Sequence, residues 1–432
     1  MRLIEAKAGA LAEAIERIPR LSTEELETVE ESVRQIVSDV AEGGDEALLG
    51  WVHKFDWPAP SVCALAASPA EFEEADAALD EELKAALRQA AENLWRYQER
   101  MVGETWLEEF EPGVKLGQHV VPVDRAGLYA PGGTAGYPST VLMTALPAKV
   151  AGVESVALAS PPDKTGKLRP EILFAARLCG VDEVWKMGGA QAIAALAYGT
   201  ETLRKVDTLV GPGRLAVTMA KKLVYGQVGI DGLAGPTEIL IIADREAPDA
   251  FVAADVLGQA EHAPDARCTV VVTDLSQALR IEAEVGSQLG KLPRAEIARE
   301  ALDRLGAIVV VASLDEACQV ANALAPEHLE VLVRKPLELV PLLRHAGAIF
   351  LGDWSSESLG DYWAGPSHVL PTTATARFTS PLSAADFTRR ISLIQYNKQA
   401  AQVAAQGTAA IAKAEGCDAH ARAALMRLEK DQ

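Results

Sequence analysis

The sequence predicts an α/β protein with two parallel-sheet domains, a helical region before them and a helical arm after them. From about Val114 onward, short apolar runs alternate with helical segments, a pattern typical of parallel strands joined by crossover helices. Hydrophobic residues make up 49% of the 432 residues and aromatic residues only 5%, which suits an α/β core built from small aliphatic side chains. A chain of this length can bury more than one such core.

Residues 1–110 are expected to be mainly helical. The first twenty residues, the stretch from Thr23 to about Glu42 and the run from Pro69 to Val102 all have helical periodicity. Two acidic residues follow Thr23 directly, which favours a helix start there. The N-terminal twenty residues contain acids and no continuous apolar stretch, so we expect a helix rather than a signal peptide.

Two series of strand and helix units are predicted next, in a first domain over 111–236 and a second over 237–380. The predicted strands are VDRAGLYA, SVALAS, VDEVWKMG and VDTLVG, then EILIIAD, TVVVTD, AIVVVAS, EVLV and AIFLGD. Residues 381–432 form the last region, an Ala-rich helical tail that breaks near Gly416 and restarts with Asp418 as N-cap. Because this tail has few large apolar residues, it must dock on its own chain or on a partner.

Charge and cysteine usage exclude several classes of protein. The net charge is −20, and no block of Lys and Arg offers a nucleic acid the basic face that it needs. No run approaches the ~18 apolar residues of a membrane span. The five cysteines are widely spaced without a C-x-x-C pair, which predicts free thiols in a reducing compartment, the cytoplasm.

Glycine-rich turns after predicted strands indicate a possible nucleotide site. Ala130-Pro131-Gly132-Gly133 and Gly188-Gly189-Ala190-Gln191 have this placement, and 211–216 (GPGRLA) matches G-x-G-x-x-A. Such turns direct backbone N–H groups at a phosphate. Tight structural turns look similar, and Pro212 is unusual inside a phosphate loop, so both interpretations stay open.

Polar residues in apolar surroundings are the candidates for chemistry. Gln259 and His262 are three residues apart on a predicted helix and share a face, where they could bind a metal or form hydrogen bonds at a helix end. Pro326-Glu327-His328 is predicted to lie where a loop enters a helix. There Glu327 could serve the helix dipole, or Glu327 and His328 could form a general-base pair.

Two further groups lie near the C-terminus. Asp361 and His368 belong to a Gly- and Ser-rich loop after the strand AIFLGD, and α/β proteins often place functional residues in such loops. Glu415 and His420 flank Gly416 in the tail, where solvated residues are the common case. Nitrogens of His262 and His420 with oxygens of Gln259 and Asp361 would suit zinc, although spacing alone cannot bring the four together.

Together these segments resemble histidinol dehydrogenase over roughly residues 25 to 425. The resemblance is carried by DRAGLYAPGG, YPSTVLM, GGAQAIAALAYGTE, VDTLVGPG, AGPTEIL, GQAEH, APEHLE, GDYWAGPSHVLPT and EGCDAH, in this order. It implies a fold of two related, incomplete Rossmann-like domains. It also implies a homodimer in which the C-terminal arm of each chain reaches into the site of its partner.

The resemblance also implies an activity and its residues. L-Histidinol would be oxidised through L-histidinal to L-histidine, the last steps of histidine biosynthesis, with two NAD. One zinc ion would be held by Gln259, His262, Asp361 and His420. NAD contacts are implied at Tyr129, Gln191 and Arg214. Substrate contacts are implied for Thr237, Gln259, His262, His328, Asp361, Glu415 and His420.

The catalytic roles are our own hypothesis. We expect His328 to take the hydroxyl proton in each oxidation and Glu327 to activate the water that hydrates the aldehyde. Zinc would act mainly as a template.

Two positions depart from the family pattern and leave alternatives. Arg214 stands where the family usually has Asn, and Arg near a ribose could favour the 2′-phosphate of NADP. Thr237 stands where Ser is usual, which keeps the hydroxyl. One alternative is a relative that oxidises another primary alcohol, such as a sulfonated diol. Another is a non-catalytic α/β protein that binds a metabolite.

Overall fold

Two parallel sheets and one small antiparallel sheet form the framework of the chain. The computed structural model describes residues 1–7, 9–20, 24–132 and 136–428, with the backbone alone for 24–27. In chain order the strands of this part are β1 (Arg2–Glu5), β2 (Trp106–Glu111), β3 (Val114–Pro122), β4 (Arg125–Tyr129), β5 (Ser155–Ser160), β6 (Glu183–Lys186), β7 (Thr208–Val210), β8 (Gly229–Ile230), β9 (Glu238–Ala243), β10 (Arg267–Val272), β11 (Ala307–Val310), β12 (His328–Leu332), β13 (Ala348–Leu351) and β14 (Thr388–Tyr396).

Helices connect most of these strands. They are α1 (Leu11–Glu16), α2 (Glu24–Phe55), α3 (Pro69–Ala78), α4 (Glu81–Gln98), α5 (Pro138–Ala151), α6 (Pro170–Leu178), α7 (Gly189–Tyr198), α8 (Leu215–Val224), α9 (Asp249–Ala260), α10 (Leu275–Leu289), α11 (Ala295–Leu305), α12 (Leu314–Leu324), α13 (Pro336–Leu339), α14 (Glu357–Leu359), α15 (Lys398–Ala414) and α16 (Asp418–Leu425). Gly44 interrupts α2 with a φ of 54°. The predicted start of this helix at Thr23 lies outside the described residues.

The predicted α/β class is confirmed. Five strands form one parallel sheet in the order β6-β5-β4-β7-β8, and six form the other in the order β1-β11-β10-β9-β12-β13. Successive side chains of a strand point to opposite faces. Accordingly, Ile239 and Ile241 pack under α9, α10 and α11, whereas Leu240 and Ile242 pack against α1 and α12. Burial on both faces explains why these strands are almost continuously apolar in sequence.

The chain forms two compact units. The larger comprises residues 1–101 and 124–387 and contains both parallel sheets. The smaller comprises residues 102–123 and the described residues from Thr388 onward, and within it β14 and β2 flank β3 in an antiparallel sheet. The boundaries expected at residues 110, 236 and 380 do not coincide with these units, and the division into those domains stays a prediction.

Three details of the predicted segments are wrong. The N-terminus begins with the strand β1, because Ile4 is fully buried and its segment pairs in parallel with β11. The C-terminal arm contains the nine-residue strand β14, whose partner β3 is about 270 residues away in sequence, where local periodicity carries no signal. Asp418 is the first residue of α16, and Cys417 is its N-cap.

Among the described residues, no helix combines the length and the apolar character that a bilayer span requires.

Gly211, which directly follows β7, offers a test of the packing between neighbouring strands. It has a φ of 122°, and a Cβ atom there would overlap the carbonyl oxygen of Tyr129 on β4. Gly226 has a φ of 100° but nothing within 4 Å of its Cβ position. Gly226→Ala should therefore cost only the backbone strain, roughly 1–2 kcal/mol. Gly211→Ala should cost roughly 1–3 kcal/mol more, because the strands must also move apart. Urea unfolding of both variants measures the difference, and equal losses would contradict it.

Candidate active site

The candidate catalytic residues lie at the amino-terminal edge of the six-stranded sheet. His328 is the first residue of β12, and Thr237 directly precedes β9, the neighbouring strand. Because the amino ends of parallel strands meet at one edge, these residues come together. Gln259 reaches the same edge from the last turn of α9, where its amide lies 2.5 Å from the Thr237 hydroxyl oxygen.

Asp361 joins this edge by an indirect route. It follows β13, and the carboxyl end of that strand lies at the opposite edge of the sheet. The chain returns through α14 into a π-helical turn over Gly360–Ala364. As a result, Asp361 Oδ1 lies 3.4 Å from His328 Nε2. The loop after AIFLGD thus contributes to the site by folding back.

The predicted entry of a loop into a helix at Pro326 is wrong. Helix α12 ends at Leu324, Ala325 adopts a left-handed φ of 46°, and His328 already begins β12. Proline is common just after a helix as well as at its first position, and the sequence alone did not distinguish the two. Glu327 therefore has no helix N-terminus of its own to stabilise.

Glu327 and His328 are both buried, with relative exposures of 7% and 2%. The Thr237 hydroxyl donates to Glu327 Oε2 at 2.6 Å, and the Glu238 N–H donates to the same oxygen at 3.0 Å. His328 Nδ1 lies 3.3 Å from the Glu238 carbonyl oxygen. Because a carbonyl oxygen can only accept, Nδ1 must carry the hydrogen. The opposite ring nitrogen, Nε2, has no well-formed hydrogen bond among the described residues.

The electrostatics of this pair follow from burial and from neighbouring acids. Burial raises the pKa of Glu327 to about 7, although the His328 ring opposes the shift. Burial alone would lower the pKa of His328, but the Glu357 and Glu327 carboxylates and the contact with Asp361 outweigh it and raise this pKa well above its usual value. The site therefore attracts positive charge and, without a bound cation, favours the protonated His328 ring.

Glu357 is a site residue that the sequence interpretation missed. It is only 6% exposed, and burial raises its pKa to about 8. With the Gln259 amide nitrogen turned toward it, that nitrogen lies 2.6 Å from both carboxylate oxygens of Glu357. A signal was present, because Glu357 precedes Asp361 by four residues, the spacing of one helical turn.

The donor atoms at this edge suit a divalent cation. His328, Glu357 and Asp361 offer a nitrogen and two carboxylate oxygens that all lie within 4.8 Å of one another. His262, just past the end of α9, is an exposed residue. Desolvation of its ring by the surrounding protein nevertheless lowers its pKa, and the nearby Asp361 carboxylate opposes that shift. Imidazole nitrogens with carboxylate and amide oxygens are the ligand types that zinc accepts.

His368 supports the turn that carries Asp361. Its Nδ1 lies 3.1 Å from the Asp361 carbonyl oxygen and its Nε2 lies 3.3 Å from the Thr140 hydroxyl on α5. Burial lowers the pKa of His368, which favours a neutral ring that donates from Nδ1 and accepts at Nε2. Helix α5 follows β4, so this bond links the two parallel-sheet halves of the larger unit.

The candidate cofactor residues lie at the carboxyl edge of the five-stranded sheet. Tyr129 ends β4, Gln191 lies in the first turn of α7 after β6, and Arg214 is the N-cap of α8 after β7. The Tyr129 hydroxyl accepts from the Gly189 N–H at 3.2 Å. Gln191 Nε2 donates to Asp56 at 2.9 Å.

The three cofactor candidates differ in their surroundings. Burial raises the pKa of Tyr129 to about 12, while Asp56 and Arg214 act on it in opposite directions. Arg214 is exposed and its side chain makes no capping bond. Asp56, which sequence analysis missed, also accepts from the Gly188 N–H. Of the turn at 130–133, Gly133 lies outside the described residues.

Glu415 and His420 belong to the smaller unit. Glu415 is the C-cap of α15 and His420 lies in the first turn of α16, and both are exposed. Of the four metal ligands that the sequence resemblance implies, Gln259, His262 and Asp361 therefore belong to the larger unit and His420 belongs to the smaller one.

Comparison with known proteins assigns the family. The family profile for histidinol dehydrogenase matches residues 20–428. Histidinol dehydrogenase of Heliobacterium mobile is 49% identical over 400 residues, covering 92% of this chain and 93% of that protein. The enzyme of Geobacillus kaustophilus is 48% identical over 401 residues, covering 93% and 94%. A crystal structure of histidinol dehydrogenase from Elizabethkingia anophelis superposes with a TM-score of 0.93 at 34% identity, covering 99% of this chain and 98% of that one. The chain belongs to the histidinol dehydrogenase family.

Proposed function

We propose that this protein oxidises L-histidinol through L-histidinal to L-histidine, with two NAD and one bound zinc ion. The observation that carries the proposal is the buried Glu327–His328 pair, whose free Nε2 faces Asp361 among nitrogen and oxygen donors that suit zinc. All five cysteines are free thiols, which supports a cytoplasmic location.

The zinc ion would be held by Gln259, His262 and Asp361 of one chain together with His420. When bound, it would orient the substrate and withdraw electron density from it. Thr237, His328 and Glu415 would complete the substrate contacts. The family membership supports this ligand set, and the cluster of donors around Asp361 supports its position.

His328 is proposed as the base of both oxidations. Its Nδ1–H is directed to the Glu238 carbonyl oxygen. A bound cation would offset the surrounding carboxylates and lower the pKa of the ring, which would leave Nε2 as the acceptor for a proton from the substrate hydroxyl. A bound NAD would accept the hydride from the carbon that carries this hydroxyl. The surrounding carboxylates favour the imidazolium that results.

Glu327 is proposed to activate water between the two oxidations. Its pKa of about 7, raised by burial, lies near the operating pH of a cytoplasmic enzyme. The carboxylate would take a proton from water as the oxygen adds to the aldehyde carbon, and His328, protonated in the first oxidation, would return its proton to the aldehyde oxygen. The hydrate would again offer a hydroxyl proton to His328 and a hydride to a bound NAD, and loss of both would yield the carboxylic acid.

NAD is proposed to bind at the carboxyl edge of the five-stranded sheet, near Tyr129, Gln191 and Arg214. The glycine turns at that edge and the buried Tyr129 support this position. Arg214 leaves the choice between NAD and NADP to be measured.

The direct test is a stoichiometric assay. Purified protein with L-histidinol should form two NADH per histidinol consumed, and removal of zinc by a chelator should abolish the reaction until zinc is restored. The same assay with NADP shows whether Arg214 favours the 2′-phosphate. Turnover of a sulfonated diol but not of histidinol would replace the proposed substrate, and no turnover of either would favour a binding protein.

Glu327→Gln should separate the two oxidations. Only the aldehyde step needs activated water, so histidinal oxidation should fall by roughly 100-fold or more, while histidinol still yields its first NADH. In the wild type, histidinal oxidation should decline as the pH drops below about 7, because burial raises the Glu327 pKa to about that value and the protonated carboxyl cannot take a proton. The variant should lack this dependence. Equal losses in both steps would remove Glu327 from the role.

We further propose a homodimer whose sites each receive Glu415 and His420 from the partner's arm. In the smaller unit, α15 and α16 bury mainly alanines against each other, such as Ala409, Ala412 and Ala421. Val403 and Ile411 of α15 stay 82% and 65% exposed in the single chain. Exposed aliphatic side chains on an alanine-rich arm fit docking on a second subunit.

Complementation tests the shared site. Glu327→Ala and His420→Ala should each be inactive, yet a mixed dimer would contain one site with both residues intact. With random exchange, half the dimers are mixed and roughly a quarter of wild-type activity should return. The matched control is Glu327→Ala mixed with His328→Ala, which should restore nothing because both residues come from one chain. No recovery in the first mixture, once exchange is shown by tagged subunits, would rule out the arm exchange.

A further inference from the structure

The side-chain amide of Gln259 poses a problem of orientation. Its oxygen and nitrogen occupy nearly equivalent positions, but only the oxygen can bind a cation. Gln259 is fully buried, so water cannot supply hydrogen bonds to an amide that is turned the wrong way. Some neighbour must select which end faces the site.

Glu357 has the geometry to make that selection. Both of its carboxylate oxygens lie 2.6 Å from one end of the Gln259 amide. An ionised carboxylate can only accept, so an amide oxygen at that position would be repelled and the amide nitrogen is required there. A cation bound nearby would favour this ionised form of Glu357. The Gln259 oxygen then lies 2.5 Å from the Thr237 hydroxyl oxygen and 3.3 Å from the Glu238 nitrogen, on the side where Glu327 lies. Both groups also donate to Glu327, so the Gln259 oxygen shares these two donors with that carboxylate.

We infer that Glu357 is a positioning residue that holds the Gln259 amide nitrogen and thereby presents the Gln259 oxygen to the metal site. This inference rests on the proposed zinc function. It gives Glu357, whose carboxylate is one of the oxygen donors near His328 and Asp361, a positioning role instead of a place among the proposed ligands. Groups that orient metal ligands in this way commonly tune metal affinity.

Glu357 is itself held by a second layer of buried acids. Glu330 on β12 is fully buried, and its Oε1 accepts from the Glu357 N–H at 2.7 Å. The Glu330 carboxyl also bonds to Asp255, which lies one helical turn before Gln259 on α9. The layer connects the start of α14 to the helix that carries Gln259, so it fixes Glu357 relative to its target.

Zinc affinity of the apoprotein, measured by competition with a chelator of known affinity, tests the inference without turnover. Glu357→Met removes the acceptor at nearly constant volume and should weaken zinc binding roughly tenfold to a hundredfold. Gln259→Glu supplies an oxygen at both ends and makes orientation irrelevant. In that background Glu357→Met should weaken binding by no more than about threefold, the part that reflects lost negative charge.

Two further variants keep the result interpretable. If Glu357→Met does not fold, Glu357→Gln takes its place in both backgrounds. Its loss of zinc affinity should again be larger in the wild-type background than in the Gln259→Glu background. The difference between the two backgrounds should be smaller than for Glu357→Met, because a Gln amide can face Gln259 with either end. Glu330→Gln is the matched control, since it removes a buried carboxyl but retains an acceptor for the Glu357 N–H. It should change zinc affinity by less than about threefold.

The outcomes are distinct. Equal losses in the wild-type and Gln259→Glu backgrounds, or a Glu330→Gln loss as large as that of Glu357→Met, would overturn the inference and leave the proposed function intact. Wild-type protein that binds no zinc would remove the proposed metal and the inference together. A loss confined to the background that retains Gln259 supports both.

Discussion

The backbone of one residue, Glu238, holds the proposed catalytic residues together. Its N–H donates to Glu327 and its carbonyl oxygen accepts from His328, at 3.0 and 3.3 Å. Glu238 can do both because it begins β9, beside the first residue of β12 in the parallel ladder. Its own side chain is fixed by a buried ion pair with Arg267 and by the Thr373 N–H. The sheet register therefore sets which nitrogen of His328 is free.

Because these residues are buried, their ionisation costs more free energy than it would in water. Glu327, Glu357 and Asp361 converge on one buried imidazole, and such acids cannot all stay ionised in a dry site without a positive partner. The pKa values of Glu327 and Glu357 are accordingly raised by burial, and that of His328 rises in response to its anionic neighbours. A divalent cation would relieve the repulsion between these carboxylates. Its binding would explain why so many acidic side chains surround Gln259.

Local patterns in the sequence were enough for much of the fold. The strands of both parallel sheets were predictable because burial on two faces leaves continuous apolar runs such as EILIIA. The strand β14 was missed because most of its residues, including the apolar Ile391 and Ile394, are exposed, and its pairing is set by distant residues. Pro326 misled because proline is typical of both ends of a helix.

Some residues of the candidate site could be predicted from the sequence and others could not. Gln259, Glu327 and Asp361 were found because polar residues in apolar surroundings need a reason to be there. Glu357 could have been found from its helical spacing to Asp361. Asp56 offered no local signal, since it lies far from the other site residues in sequence and meets Gln191 only through the tertiary fold.

The proposed cofactor residues and the proposed catalytic residues lie at opposite ends of the strands in their two sheets. Tyr129 and Gln191 lie at carboxyl ends of strands, the usual place for a nucleotide in an open α/β sheet. Glu327 and His328 lie at amino ends, where backbone groups of the first strand residues are still free to bind side chains. His368 connects the two halves, because it contacts Thr140 on the helix after Tyr129 and the carbonyl oxygen of Asp361. A shift of that helix would therefore bear on the turn that carries a proposed metal ligand, since one imidazole bonds to both.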